Sequence, residues 1–177
     1  YKKIDPTIDT SEIQKEISSR VREELDYTLE QKHIELFSFI FKKNKKIHIP
    51  YVLNEISTKR LLSMNYLEGQ KLLEFKKESE DNRKELAKNM FHAWYYPFYK
   101  YGVIHGDPHL GNYSANNKHE INLLDFGCIR IFKPSFVEGV INLYHAIMHN
   151  DEELAVDAYK SWGFENISKK LIEILNI

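Results

Sequence analysis

The stretch that most constrains this chain is Val103-Ile104-His105-Gly106-Asp107-Pro108-His109-Leu110-Gly111-Asn112-Tyr113, followed by Leu123-Leu124-Asp125-Phe126-Gly127. A histidine, an aspartate and an asparagine are interleaved there with glycine and proline between apolar residues, the composition of a loop that carries chemistry. The second stretch opens with the apolar run from Ile121 to Leu124 around Asn122, and it reads as a buried strand delivering Asp125 to a site at its end. The segment between them, from Ser114 to Glu120, has the size of a hairpin connection. The order H-x-D-x-x-x-x-N then D-F-G matches the needs of phosphoryl transfer. Asp107 has to reach an attacking hydroxyl, Asn112 has to offer its amide oxygen to a hard cation, and Asp125 has to hold metal against phosphates from the opposite wall. Three oxygen ligands around Mg²⁺ and phosphate is the expected arrangement.

Composition narrows the classes further. The 177 residues suffice for one domain with a sizeable core and are marginal for two. A net charge of -1, from 25 basic and 26 acidic side chains, leaves no electrostatic footprint for nucleic acid and no polybasic run for an anionic membrane. The cluster from Lys42 to Lys46 reads as a solvated turn. Cys128 is the single cysteine, so no intramolecular disulfide forms and a reducing, cytoplasmic setting is expected; the thiol reads as a small apolar filler. No run approaches the ~20 apolar residues of a transmembrane helix. The chain opens on Tyr1-Lys2-Lys3 without a signal-peptide pattern, and the expectation is a fragment of a longer protein.

Residues Tyr1 to Thr10 read as an extended entry segment. Ser11 and Gln14 form a capping-box pattern, and Ile13, Ile17, Val21 and Leu25 recur every fourth residue, continuing through Leu29, Ile34, Phe37 and Phe41 as one long helix or two with a break. The runs Ile47 to Leu53 and Arg60 to Leu67 are strand-like and predict an antiparallel pair. Leu72 to Phe75 predicts a short helix or turn, and the charged run Lys76 to Lys84 a solvated helix entry. A helix from about Asn82 places Leu86, Met90, Trp94, Phe98 and Tyr101 on one face and ends at Gly102; its aromatic end, Trp94 to Tyr101, could form a membrane-interface belt but reads rather as core packing with a kink at Pro97. Ser135 with Glu138 predicts a capped helix with Val140, Ile141, Tyr144, Ile147 and Met148 inward. Asn150 and Asp151 with Glu153 predict another, running through Leu154, Ala158 and Trp162 to Gly163, and a last helix is expected from Ser168.

These motifs, with Glu23-Glu24-Leu25-Asp26-Tyr27 upstream, resemble the UbiB/AarF family of atypical kinase-like proteins. The resemblance covers about residues 11–145, and Leu110 stands where the family loop has a second proline. It implies an α+β, mainly helical, protein-kinase-like fold, with residues 1–177 as one partial kinase-like domain: 1–67 the remainder of the N-lobe and 68–177 a helical C-lobe. It implies Asp107 as catalytic base, Asn112 and Asp125 as Mg²⁺ ligands, and His105 as a structural residue beneath the loop. Glu24 and Asp26 match the E-x-D pair that engages a family-specific N-terminal extension. Glu30, with Glu24 as the alternative, matches the helix glutamate that pairs with the nucleotide-binding lysine, and Met64 to Gly69 match the hinge, with Met64, Tyr66 and Leu67 against adenine. The family's lysine strand, alanine-rich loop and K-x-G-Q segment do not occur before Ser11, which implies a piece that catalyses little alone. No A-P-E triplet follows D-F-G, which agrees with the family.

The implied activity is Mg-ATP-dependent phosphoryl transfer or ATP hydrolysis supporting ubiquinone or other isoprenoid-lipid metabolism, with lipid or quinone-biosynthesis proteins as partners and peripheral membrane association. Three alternatives stay open. One is an ATP-binding pseudokinase-like module that handles a lipid. Another is a small-molecule phosphotransferase of the aminoglycoside or choline kinase type, whose loop reads H-G-D-x-H-x-G-N. The third is a metallohydrolase using His105, Asp107 and His109 as H-x-D-x-H.

Overall fold

The computed structural model describes residues 11–164, so the entry segment through Thr10 and the helix expected from Ser168 lie outside the described residues. Helix α1 spans Ser11–Glu24 and α2 spans Tyr27–Phe41. The periodic run is therefore broken at Leu25 and Asp26. Asp26 makes the break: its carboxylate accepts the Thr28 N–H at 3.1 Å, capping α2, and pairs with Lys59 Nζ at 3.3 Å. Helix α2 buries Ile34, Phe37, Ile40 and Phe41, and these side chains seed the core.

The chain continues through β1 (Ile47–His48), β2 (Gln70–Lys71), a 3₁₀ turn over Leu72–Lys77, α3 (Glu80–Tyr101), β3 (Val103–His105), β4 (Tyr113–Ala115), β5 (Ile121–Leu123), β6 (Ile129–Ile131), α4 (Pro134–His149) and α5 (Glu152–Ser161). It divides into two compact units, Tyr1–Ala93 with His105–Ile129 and Trp94–Ile104 with Arg130–Ile177.

In the first unit the sheet order is β1-β5-β4-β2. β5 lies parallel to β1, through Ile47 opposite Ile121, and antiparallel to β4, through Ser114 opposite Asn122. All three residues of β5 are buried, as a strand covered on both faces requires. The expected antiparallel pair is much shorter than its two runs. It amounts to a bridge between Val52 and Met64, flanked by Leu53 N–H to Ser63 O at 2.7 Å and Asn65 N–H to Tyr51 O at 3.2 Å. The start of the first run joins β5 instead, and Pro50, which has no N–H to donate, separates the two pairings. The β4–β5 connection is tied by Asn116, whose side chain accepts from Lys118 N–H at 2.9 Å and Glu120 N–H at 3.2 Å, with His119 in the left-handed region at φ 59°. Gly69 sits where a Cβ would come within 2.6 Å of Ser114 Oγ and 2.7 Å of Asn122 Nδ2. That close approach lets buried Asn122 donate to Glu68 O at 3.0 Å and to Ser114 Oγ at 2.9 Å.

In the second unit, Gly102 at φ +69° ends α3, and its carbonyl accepts the Phe132 N–H at 2.7 Å. Phe98 is buried against the Phe132 ring at 5.9 Å, so the aromatic end of α3 does pack inward there. Helix α4 differs from expectation twice. Pro134 takes its first position and Lys133 is the N-cap without a side-chain bond, so Ser135 lies inside the helix and caps nothing. Tyr144, Ile147 and Met148 are exposed, while Val137 and Ala146 are buried. The cause is α5, which folds back onto the small residues of α4: Ala155, Ala158 and Tyr159 are buried, Trp162 Nε1 donates to Phe136 O at 3.1 Å, and a Cβ on Gly139 would come within 2.5 Å of that indole nitrogen. Asn150 closes α4 in the left-handed region and Asp151 caps α5 through the Leu154 N–H at 3.0 Å, which divides the two roles that the sequence left together.

Candidate functional site

β5 is short and wholly buried, so its end is fixed in position, and the chain leaving it carries Asp125-Phe126-Gly127. The Phe126 ring is fully buried, 5.4 Å from Phe37 and 6.3 Å from the His105 ring. The Asp125 side chain is exposed, and its Oδ1 accepts the Gly127 N–H at 2.9 Å, leaving Oδ2 for a ligand.

The other loop is braced from beneath. His105 is 1% exposed, and the Asp107 N–H donates to its Nδ1 at 3.2 Å. Because Nδ1 accepts, Nε2 carries the proton and donates to Asp125 O at 2.7 Å, tying the two loops through one ring. Asp107 then receives two bonds: His109 N–H to Oδ1 at 3.2 Å and Asn112 Nδ2 to Oδ2 at 2.7 Å. The second bond turns the Asn112 amide so that its oxygen, the atom a hard cation takes, points away from Asp107. His109 Nδ1 accepts from Gly111 N–H at 3.1 Å. His105 therefore has both ring nitrogens on backbone groups, His109 has its Nδ1 so engaged, and among the described residues no group of three or more His, Cys, Asp or Glu is arranged to hold a metal. A metal held by H-x-D-x-H would need a free nitrogen on His105, and both of its ring nitrogens are bonded to the backbone.

Helix α2 supplies the third side. Glu30 Oε1 accepts the Phe126 N–H at 3.1 Å, and His33 Nδ1 bonds Phe126 O at 2.9 Å. Burial holds the Glu30 carboxyl above its usual range, the Phe126 N–H opposes that shift, and the charge of Asp125 adds to it.

A cleft of about 630 Å³ lies over these groups, lined by Tyr27, Glu30, Arg60, Leu61, Leu62, Met64, Asp107, Asp125, Gly127 and Cys128. Of the residues expected at a site, Asp107, Asp125, Glu30 and Met64 line it together. Asn112 stands behind Asp107, Tyr66 is 82% exposed and, like Leu67, outside the lining. Asp26 is occupied as cap and ion pair, which holds its carboxyl below the usual range chiefly through the Thr28 hydroxyl, and the Glu24 side chain lies outside the described residues. Sequence reasoning missed His33 and Arg60. His33 was findable from its place one turn after Glu30 on the same helix face. Arg60 carried no signal beyond its charge inside a strand-like run.

The donor set suits Mg²⁺ held together with phosphates: one free carboxylate oxygen on Asp125 and one amide oxygen on Asn112, and among the described residues no group of three or more His, Cys, Asp or Glu to hold a metal.

Among known proteins, the ABC1 atypical kinase-like domain matches residues 1–159. The chain is 26% identical over 170 residues to Protein ACTIVITY OF BC1 COMPLEX KINASE 8, chloroplastic, of Arabidopsis thaliana, covering 91% of this chain and 22% of that protein. It is 25% identical over 115 residues to Atypical kinase COQ8, mitochondrial, of Saccharomyces cerevisiae, covering 64% of this chain and 23% of that protein. The chain thus spans less than a quarter of the length of these two relatives. In fold it is similar to a solved structure, the Rv3197–erythromycin complex from Mycobacterium tuberculosis, with a TM-score of 0.73 at 21% identity over 94% of this chain and 43% of that one. No helix among the described residues is long and apolar enough to cross a membrane. With its α+β, mainly helical, kinase-like fold and a match that spans nearly the whole sequence, the chain belongs to the ABC1 atypical kinase-like, or UbiB, family.

Proposed function

We propose that the cleft is one wall of a Mg-nucleotide phosphotransfer site, and that the full-length protein is an atypical kinase or ATPase. The observation that carries this reading is the convergence of Asp107 and Asp125 on one cleft, each with a carboxylate oriented by backbone N–H groups. Asp107 is the base. Its two oxygens are aimed by His109 N–H and Asn112 Nδ2, so the carboxylate meets an attacking hydroxyl in a fixed direction. Asp125 Oδ2 and the Asn112 amide oxygen would hold Mg²⁺, which would neutralise charge on the phosphate oxygens. Glu30 keeps one carboxylate oxygen for a lysine of the nucleotide site while the other holds Phe126 N–H. Met64 contacts the adenine at the cleft, with Tyr66 and Leu67 continuing the hinge. Asp26 acts at the α1–α2 junction, toward a partner segment rather than the phosphates, and Glu24 is assigned to the same segment, or to the lysine in place of Glu30, on family membership alone. The acceptor is water or a hydroxyl in ubiquinone or other isoprenoid-lipid metabolism, and this chain alone turns over little; both statements rest on family membership.

The test is ATP hydrolysis by the full-length protein. Asp107→Asn is expected to lower turnover on the order of a hundredfold or more while leaving Mg-nucleotide binding in place. Unchanged hydrolysis overturns the base assignment. Thermal stabilisation by nucleotide with no turnover in the wild-type protein would favour the alternative, a nucleotide-binding module that handles a lipid.

A further inference from the structure

We infer that His33 is a positioning residue that aims the Asp125 carboxylate by fixing the Phe126–Gly127 peptide plane. This rests on the reading of Asp125 as a metal ligand. Two consecutive peptide planes surround Phe126, and each is held at both ends. In the first, the Asp125 carbonyl accepts from His105 Nε2 at 2.7 Å and the Phe126 N–H donates to Glu30 Oε1 at 3.1 Å. In the second, the Phe126 carbonyl faces His33 Nδ1 at 2.9 Å, and the Gly127 N–H donates to Asp125 Oδ1 at 2.9 Å.

A peptide group is planar and trans, so its C=O and N–H point in opposite directions and turn together. The atom that faces a carbonyl oxygen must be a donor, which assigns the proton to His33 Nδ1. Holding the Phe126 oxygen on α2 therefore sets the direction of the Gly127 N–H, and that N–H is the bond the Asp125 side chain receives. The helix itself is anchored beside the clamp, because Phe37, one turn beyond His33, packs on the Phe126 ring. The arrangement resembles the outer contacts of metal sites in general, where a group that never touches the metal orients one that does.

The decisive comparison uses the full-length protein with two substitutions of equal size. His33→Asn keeps an N–H donor close to the Nδ1 position, whereas His33→Asp presents only acceptors to the Phe126 carbonyl. Mg²⁺ is titrated at fixed ATP and nucleotide binding is read. His33→Asp is expected to need about tenfold more Mg²⁺ for half-saturation, His33→Asn to stay within about twofold of wild type, and nucleotide affinity at saturating Mg²⁺ to be unchanged in both. Hydrogen exchange at the Gly127 amide, read without ligand, should accelerate in His33→Asp and not in His33→Asn. If His33→Asp does not fold, His33→Leu removes the donor without repulsion and should shift both readouts the same way. Equal behaviour of the donor-keeping and donor-lacking variants overturns the inference. With Asp125→Asn alongside, a wild-type protein that shows no Mg²⁺ dependence overturns the metal-ligand reading and the positioning role with it. A wild-type response that Asp125→Asn abolishes and the donor-lacking variants leave intact overturns the positioning role alone.

Discussion

Helices α1 and α2 both carry a helical apolar stripe in sequence, yet Ile13, Ile17 and Val21 of α1 are 58%, 58% and 48% exposed, while Ile34, Phe37 and Phe41 of α2 are at most 3% exposed. Periodicity specifies a face; it does not specify what covers it. In α2 the stripe is rich in aromatic rings, and its neighbours Glu30 and His33 grip the backbone of Phe126, so burial of the helix and construction of the site are one event. In α1 the stripe is aliphatic, and none of the bonds that tie α2 to the Asp125 loop has a counterpart among its described residues. Asp26 stands at the border, ending one regime and capping the other.

The strongest way to break this contrast is Phe37→Ala. It empties a fully buried ring site beside Phe126 and Phe41, and it should cost about 3–5 kcal/mol by chemical denaturation. A loss below about 1 kcal/mol would show that α2 does not anchor the core.

Glu30→Gln sharpens the contrast through pH. The folded state raises the Glu30 carboxyl above its ordinary value, chiefly by burial, so the fold favours the protonated form. Its contribution is fully present below the ordinary glutamate range near ~4.3 and is lost as pH rises through the raised folded value. Gln cannot ionise and still offers an oxygen to the Phe126 N–H. Its denaturation midpoint should therefore gain on wild type as pH rises from about 4 to 7, and parallel pH profiles would contradict the assignment. The smallest effect belongs to α1: Ile17→Ser on the exposed stripe should change stability by no more than about 0.5 kcal/mol, and a large loss would mean that the stripe is covered in the folded protein.

Much of the site was legible in the sequence because its determinants are local. The strand that ends at Asp125, the loop around Asp107 and the hairpin between them are each specified by neighbours within a few residues, through glycine, proline, asparagine and an unbroken apolar run. What was not legible depended on long-range pairing. β1 finds β5, more than seventy residues away in sequence, and only Val52, later in the same run, bridges to Met64. Helix α4 buries Ala146 and the flank of Gly139 because α5 needs small residues to approach, whereas its large apolar residues, the ones that catch the eye in a helical pattern, face outward. His33 had one local signal, its place one turn after Glu30, but its role did not show, because it acts on a carbonyl and backbone partners leave no motif in a sequence.

The central claim is that Asp107 and Asp125 belong to one Mg-nucleotide site, with Asp125 holding the metal. Calorimetric titration of ATP into the full-length protein, with and without Mg²⁺, tests it most directly. The account predicts Mg²⁺-dependent binding that Asp125→Asn abolishes and Asp107→Asn retains. Binding that is indifferent to Mg²⁺, or that survives Asp125→Asn unchanged, would contradict it.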